Sequence, residues 1–90
     1  MEYLNPEELE ITHGVQEKKR FEELLTSIRD EGILETIKYV EYNGLRYIVN
    51  GHHRHKIAMA LQMKTVPVEQ VYLPYNGYNT EDDLIYQDIR

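Results

Sequence analysis

The chain contains no cysteine, which excludes disulfides, thiolate metal sites and cysteine nucleophiles. It also lacks an apolar run near the roughly 20 residues that a transmembrane helix needs, and no charged-then-apolar signal peptide opens it. The sequence therefore predicts a soluble, cytoplasmic protein with no membrane partner. Its 90 residues suffice for one domain with one modest core.

Basic residues are scarce, and the formal net charge is −6. Broad nucleic-acid binding usually needs a basic surface, so nucleic acid is a disfavoured partner. The charge is uneven, because residues 44–64 contain no acid but four basic residues, Arg46, Arg54, Lys56 and Lys64. A local basic block in an acidic body favours a small phosphorylated ligand over a long polyanion. A solvated helix face that happens to lack acids is the alternative.

Hydrophobic periodicity and turn residues predict alternating strands and helices. Asn43-Gly44 is the strongest two-residue signal for a hairpin, and Gly32 is the left-handed residue that ends a helix. Pro67 indicates that the last strand lies at a sheet edge or starts there. The predicted elements are an edge strand over 9–12, a helix from 16 to 31, strands over 36–42 and 45–49, a helix over about 53–63 and a strand over 65–73.

The end of the chain differs in composition from the rest. Its tyrosines, Tyr75, Tyr78 and Tyr86, alternate with Asn, Gly and acidic residues, and the acids at 81–83 suit the first turn of a short helix. We therefore expect a domain over residues 1–74 and a tail over 75–90, which either packs on the domain as a final helix or frays. The tyrosines either close the edge of the core or form a partner surface.

The chemistry of the chain concentrates in residues 50–54, Asn50-Gly51-His52-His53-Arg54, where a strand gives way to a helix. The first amide groups of a helix lack internal partners, and the helix dipole is positive there. Glycine allows a ligand to approach the backbone, and arginine can bind phosphate oxygens through two nitrogens. This turn therefore predicts a site for phosphate or a similar oxyanion.

The histidines of this turn can donate a hydrogen bond or carry a proton near neutral pH. Spacing leaves open which of His52, His53 and His55 does so. If the helix begins at His52, then His52 and His55 share a face and His53 points elsewhere. Without a third ligand at suitable spacing, the histidines predict no metal site.

The order of the elements and this turn resemble the ParB/sulfiredoxin superfamily. The resemblance implies an α/β (α+β) fold, a compact domain with a small mixed sheet and two or three helices. In that superfamily this turn binds nucleotide phosphates, so residues 50–54 would bind ATP, ADP or CTP. The matching segments are Asn5-Pro6, the helix end 27–33, residues 47–54 with the following Ala58 and Ala60, and Val66-Pro67-Val68.

Differences between this sequence and known members of the superfamily limit the activities that the resemblance implies. Sulfiredoxins have a cysteine at the position of His52, so sulfinic-acid repair is excluded. Partition proteins usually have Gly-Glu-Arg-Arg here and need two further domains, for which 90 residues leave no room. The Gly-His-His-Arg form is most similar to ParB-like kinases, nucleases and toxin-associated domains. It implies phosphoryl transfer or phosphodiester hydrolysis.

Under this resemblance the chain is a nucleotide hydrolase, a kinase or a nuclease, or the effector domain of a bacterial toxin in a longer chain with an immunity protein as partner. A toxin domain would be delivered into the cytoplasm of a target cell. A non-catalytic nucleotide-sensing or protein-interaction module is the alternative. Mg²⁺ is compatible with phosphate chemistry because it needs few protein ligands, but nothing in the sequence demands it. The candidate catalytic residues are His53, Arg54, His52 and Glu31.

Three of the candidate residues lie outside the turn. Thr12 and His13 follow the first strand, where members of the superfamily often place polar residues that contact the nucleotide. Glu31 precedes Gly32, and some kinases of this fold use a glutamate as a base. The simpler alternatives are a loop residue for His13 and a solvated helix-end acid for Glu31.

Overall fold

The structure is a computed structural model that describes residues 2–12 and 18–86. Five strands form one mixed sheet, and their bounds are β1 Glu2–Leu4, β2 Leu9–Glu10, β3 Ile37–Tyr42, β4 Leu45–Asn50 and β5 Val66–Gln70. A short 3-10 helix spans Pro6–Glu8, and the α-helices are α1 Lys18–Glu31, α2 His52–Ala60 and α3 Glu81–Tyr86. The mixed sheet and three α-helices confirm the predicted α+β class.

The strand order across the sheet is β1-β5-β3-β4-β2. Strands β3 and β4 form the predicted hairpin, and Asn43 and Gly44 have φ values of 53° and 77°, as a tight two-residue hairpin turn requires. Strands β3 and β5 are parallel, as are β2 and β4, whereas β1 is antiparallel to β5. Both edge strands therefore come from the first ten residues, on either side of the 3-10 helix.

The structure corrects several predicted elements. Strand β1 was not predicted, because three residues are too short to show a periodicity. Strand β2 is shorter than the predicted segment 9–12 but does lie at a sheet edge. Strand β5 lies inside the sheet and begins at Val66, so of the two interpretations of Pro67 the strand start is correct and the sheet edge is wrong. Proline is tolerated because the ladder with β3 begins only at Val68, so its missing amide breaks no bond there.

The core has one cluster on each face of the sheet, because neighbouring residues of a strand point to opposite faces. Thus Ile48 and Val49 are both buried but belong to different clusters. The first cluster consists of Leu9, Ile37, Tyr39, Ile48, Ala58, Val66 and Val68. The second consists of Val40, Val49, Tyr78 and Leu84, so residues beyond position 75 supply half of its members.

Helix α1 ends where the sequence indicates. Gly32 has a φ of 77° and donates its amide to the carbonyl of Ile28 at 2.8 Å, which ends α1 in the left-handed conformation. Helix α2 begins at His52, before the predicted start, and ends at Ala60, before the predicted end near residue 63. None of the helices in the described ranges has the length and apolar character that a bilayer span requires.

One buried tyrosine links an edge strand to the centre of the sheet. The Tyr39 hydroxyl donates a hydrogen bond to Glu2 Oε1 at 2.8 Å, which ties β1 to β3. Burial, followed by the hydrogen bond and the negative charge of Glu2, raises the pKa of Tyr39 above its usual value. The phenol therefore stays protonated near neutral pH and can keep donating this hydrogen bond.

Candidate functional site

Gly51 is the N-cap of α2 and adopts a left-handed conformation, with φ 100° and ψ 25°. A Cβ added to it would lie 3.2 Å from Ile37 Cγ1 and 3.3 Å from Ile37 Cα, so a side chain is disfavoured both by strain and by space. The amide of His55 donates to the Gly51 carbonyl at 2.9 Å, which is the first bond of the helix. Gly51 provides no side-chain cap, so the start of α2 has the character of an anion site.

The Arg54 guanidinium lies beside this glycine. Its Nη1 atom is 3.4 Å from the place that a Cβ of Gly51 would occupy. Its Nη2 atom donates to Glu35 Oε2 at 2.7 Å, and the Arg54 side chain is 24% exposed while that of Glu35 is 75% exposed. The expectation of an acid-free basic block around the turn is therefore corrected, because a carboxylate from outside residues 44–64 neutralises Arg54.

Two other cations of the basic block, Lys56 and Arg46, lie beside groups away from the turn. Lys56 Nζ lies 5.6 Å from the centre of the Phe21 ring on α1. Arg46 belongs to β4 and lowers the pKa of Tyr39, the opposite of the stronger effect of burial. The excess positive charge seen along the sequence is thus divided among separate neighbours, and Arg54 is the member that lies against Gly51.

His52 belongs to a buried network that joins three segments of the chain. The Thr12 amide donates to His52 Nε2 at 3.2 Å, and the Thr12 hydroxyl donates to the Ile48 carbonyl at 2.9 Å. The Thr12 hydroxyl oxygen also lies 3.0 Å from His52 Nε2 and 2.6 Å from the Tyr78 hydroxyl, so this one side chain contacts three buried groups.

This network holds the end of the β2 segment against the start of α2 and against the C-terminal segment. Thr12 is only 2% exposed, and His52 is also buried. The sequence grouped Thr12 and His52 as candidates but did not indicate that they contact each other. Tyr78 was missed as a member, because its partner is 66 positions away in the chain.

Thr12→Val is expected to lower the free energy of unfolding by about 1–3 kcal/mol, since the hydroxyl bonds two buried groups. The midpoint of urea unfolding measures the change. Thr26→Val is the matched control, because the Thr26 hydroxyl makes one exposed bond to the Glu22 carbonyl on α1. A Thr12→Val loss no greater than that of the control would contradict the stabilising role of the network.

The other two histidines of the turn differ from His52 and from each other. His55 Nε2–H donates to the Pro6 carbonyl at 2.8 Å and so ties the 3-10 helix to α2. His53 Nε2 is buried and has no hydrogen-bond partner within the described ranges 2–12 and 18–86. The predicted division holds: with α2 starting at His52, His52 and His55 share a buried face. Within those ranges, His53 therefore has a buried ring nitrogen without a hydrogen-bond partner.

The remaining candidates lie at different places. Asn50 is the exposed last residue of β4 and is paired with Lys38 of β3. His13 lies outside the described residues. Glu31 is exposed at the end of α1. Within residues 2–12 and 18–86, no three His, Asp or Glu side chains converge in a way that could hold a metal ion.

Glu35 is the carboxylate that sequence reasoning missed, since only Glu31 was considered. No local signal marked it. The Asn43-Gly44 turn sets the register only as far as the pair of Tyr39 with Ile48, and a β-bulge between Lys38 and Tyr39 then brings Lys38 opposite Asn50. Gly51, the next residue, packs against Ile37. Glu35 stands two residues before Ile37, so it reaches the first turn of α2 and pairs with Arg54.

The sheet order, the two-sided core and the glycine-led start of α2 define a domain of the ParB/sulfiredoxin type. A family model, the ParB N-terminal domain, matches residues 1–75. The chain therefore belongs to the ParB N-terminal domain family, which confirms the resemblance inferred from the sequence. No curated protein matches the chain at a significant level.

Solved structures show the same fold. Sulfiredoxin from Arabidopsis thaliana is 21% identical, with a TM-score of 0.69, and the match covers 98% of this chain and 94% of that one. The C-terminally truncated chromosome-partitioning protein ParB from Caulobacter crescentus, complexed with CTP-γ-S, is 25% identical with a TM-score of 0.71, over 99% of this chain and 53% of that one. A free serine kinase in complex with AMP is 21% identical with a TM-score of 0.69, over 82% and 32%. This chain thus spans about half of the ParB chain and a third of the kinase.

Proposed function

We propose that this domain binds a nucleotide whose phosphates lie at the start of α2, over residues 50–54. The observation that carries the proposal is the geometry of Gly51, a left-handed N-cap without a side-chain cap, with Arg54 Nη1 beside it. Helix starts of this kind attract anions, because their amide groups and their dipole point outward. Arg54 adds a charged donor at the same place.

Solved relatives support this proposal. The Caulobacter ParB was crystallised with CTP-γ-S, and the free serine kinase with AMP and with ADP. These three ligands share a ribonucleotide with at least one phosphate, which is the chemistry that the start of α2 suits. Membership of the ParB N-terminal domain family supports the same ligand class.

The proposed roles differ among the residues of the turn. Gly51 admits the phosphate to the backbone, and Arg54 donates to its oxygens. His53 is the best candidate for a proton donor or acceptor, because its buried Nε2 has no partner in the described residues. His52 holds the turn in place through Thr12, so we assign it a positioning role.

Phosphoryl transfer on a nucleotide is the activity that we favour over phosphodiester hydrolysis of nucleic acid. The net charge of −6 opposes binding of a long polyanion, and Glu35 adds a negative charge beside Arg54. A non-catalytic nucleotide sensor is the second candidate. It is supported by the engagement of the Nε2 atoms of His52 and His55 in hydrogen bonds within the protein, which makes them unsuited to proton transfer.

The narrower hypothesis of a toxin effector adds an immunity protein as partner. In that case the partner should cover the Gly51 turn, so its binding should compete with that of the nucleotide. Mg²⁺ enters the proposal as a companion of the phosphates, since it commonly keeps few protein ligands.

Thermal unfolding with CTP, ATP, ADP and AMP, each with and without Mg²⁺, tests the proposal. A nucleotide at 100 times its dissociation constant should add about 2.7 kcal/mol of stability, which for a domain of this size raises the melting temperature by roughly 10–20 °C. Product analysis then separates an enzyme from a sensor. If no nucleotide shifts the melting temperature, the proposal is wrong. If DNA and RNA also fail to bind at low salt, the nuclease hypothesis is excluded.

A further inference from the structure

The cation of the proposed site is held by a carboxylate of the protein itself. Arg54 Nη2 donates to Glu35 Oε2 at 2.7 Å, while Nη1 of the same guanidinium lies against Gly51. One nitrogen of the guanidinium thus binds a carboxylate of the protein itself, and the other lies at the start of α2. Carboxylate and phosphate groups both present pairs of anionic oxygens, so they bind a guanidinium through the same donors.

The two partners are unequally exposed. The Glu35 side chain is 75% exposed, whereas the Arg54 side chain is 24% exposed and lies against the helix start. Glu35 also belongs to the short connection between α1 and β3, outside both elements. Glu35 can therefore leave the pair by rotating into water, because exposed ion pairs contribute little to stability.

We propose that Glu35 is an internal competitor for the phosphate ligand. In the unliganded protein its carboxylate occupies Arg54, and a phosphate that binds at Gly51 must displace it. This inference rests on the proposed nucleotide site and adds its regulation. A phosphate must therefore bind Arg54 more strongly than the single carboxylate of Glu35 does. The negative charge of Glu35 also opposes the approach of any anion.

The inference has a measurable consequence in Glu35→Gln. Glutamine keeps the length of the side chain and removes its charge, so both the competition for Arg54 and the repulsion of the ligand disappear. We expect nucleotides to bind roughly 3- to 10-fold more tightly, the range that corresponds to the loss of one exposed ion pair and one nearby like charge. The melting temperature without ligand should change little, because Glu35 is exposed.

Calorimetric titration of CTP and ADP into wild type, Glu35→Gln and Glu23→Gln tests the inference. Glu23→Gln is the matched control, since it removes the same charge from an exposed position on α1. The two remaining variants are Arg54→Ala and the double variant Arg54→Ala/Glu35→Gln. Tighter binding in Glu35→Gln alone, with most of the gain lost in the Arg54→Ala background, would support competition through Arg54.

Other results distinguish a failure of the Glu35 inference from a failure of the nucleotide-binding proposal. If wild type binds and Glu35→Gln binds equally or more weakly, Glu35 is not a competitor, although the nucleotide site stands. Competition is likewise ruled out if the gain persists in full without Arg54. If neither wild type nor any variant binds CTP or ADP, the nucleotide site itself is wrong and the inference is lost with it.

Discussion

Arg54→Ala is expected to weaken nucleotide binding by about 10- to 100-fold, since a charged donor to phosphate contributes about 1.5–3 kcal/mol. The loss should exceed that of a simple truncation, because Glu35 would keep its negative charge beside the helix start without a partner. The nucleotide-dependent rise in melting temperature measures the effect most directly, and calorimetry gives the dissociation constant. The nucleotide affinity of Arg54→Lys should lie between those of wild type and Arg54→Ala, because lysine keeps the charge but not the two-nitrogen geometry.

The fold should survive this substitution. The pair with Glu35 is partly exposed, and such pairs contribute about 0–1 kcal/mol. Arg29→Ala is the matched control, since Arg29 forms an exposed pair with Asp30 at 3.8 Å on α1. Equal nucleotide affinity in wild type and Arg54→Ala, with both proteins folded, would remove Arg54 from the site.

Gly51→Ala is expected to lower the free energy of unfolding by about 2–3 kcal/mol and to impair nucleotide binding. The left-handed conformation costs a residue with a Cβ about 1–2 kcal/mol. At Gly51 the Cβ would also meet Ile37 Cα at 3.3 Å, and that backbone atom belongs to the paired strand β3 and cannot move aside cheaply. Urea unfolding measures the first effect and thermal shift with nucleotide the second.

Gly44→Ala and Gly32→Ala separate the two contributions to this loss. Both glycines have a φ of 77°, but a Cβ added to either meets nothing within 4 Å. They should therefore show the conformational cost alone, and the excess loss in Gly51→Ala reports the contact with Ile37. Three equal losses would show that the backbone of β3 yields to the added atom, so that Gly51 would be needed for its conformation alone.

Local signals in the sequence predicted the elements that surround the candidate site. The hairpin turn at Asn43-Gly44 and the helix end at Gly32 are determined by residues that favour positive φ, and both occur where predicted. The strand–Gly51–helix order likewise depends on neighbours in the chain. It therefore needed no knowledge of distant contacts. The family resemblance drew on the same local segments, and the match over residues 1–75 confirms it.

The local signals could not predict contacts between residues that are far apart in the chain. Thr12 meets Tyr78, 66 positions later, only because the C-terminal segment folds over the second face of the sheet. The pairing of Glu35 with Arg54 depends on the register of β3 against β4 and on the packing of Gly51 against Ile37. The charge count along the sequence could not include Glu35, because it averages neighbours in the chain and not neighbours in space.

The amino-acid order alone was thus enough to predict the superfamily, the α+β class and the strand–glycine–helix order at residues 50–54, because each depends on short-range propensities. The remaining contacts follow from the three-dimensional fold. His52 and His55 are buried and hydrogen-bonded to distant segments. His53 has a ring nitrogen without a partner among residues 2–12 and 18–86, and Arg54 pairs with an acidic residue. Those assignments depend on which groups meet across the sheet. The free energies of hydrogen bonds and ion pairs are determined by such neighbours in space and not by spacing along the chain.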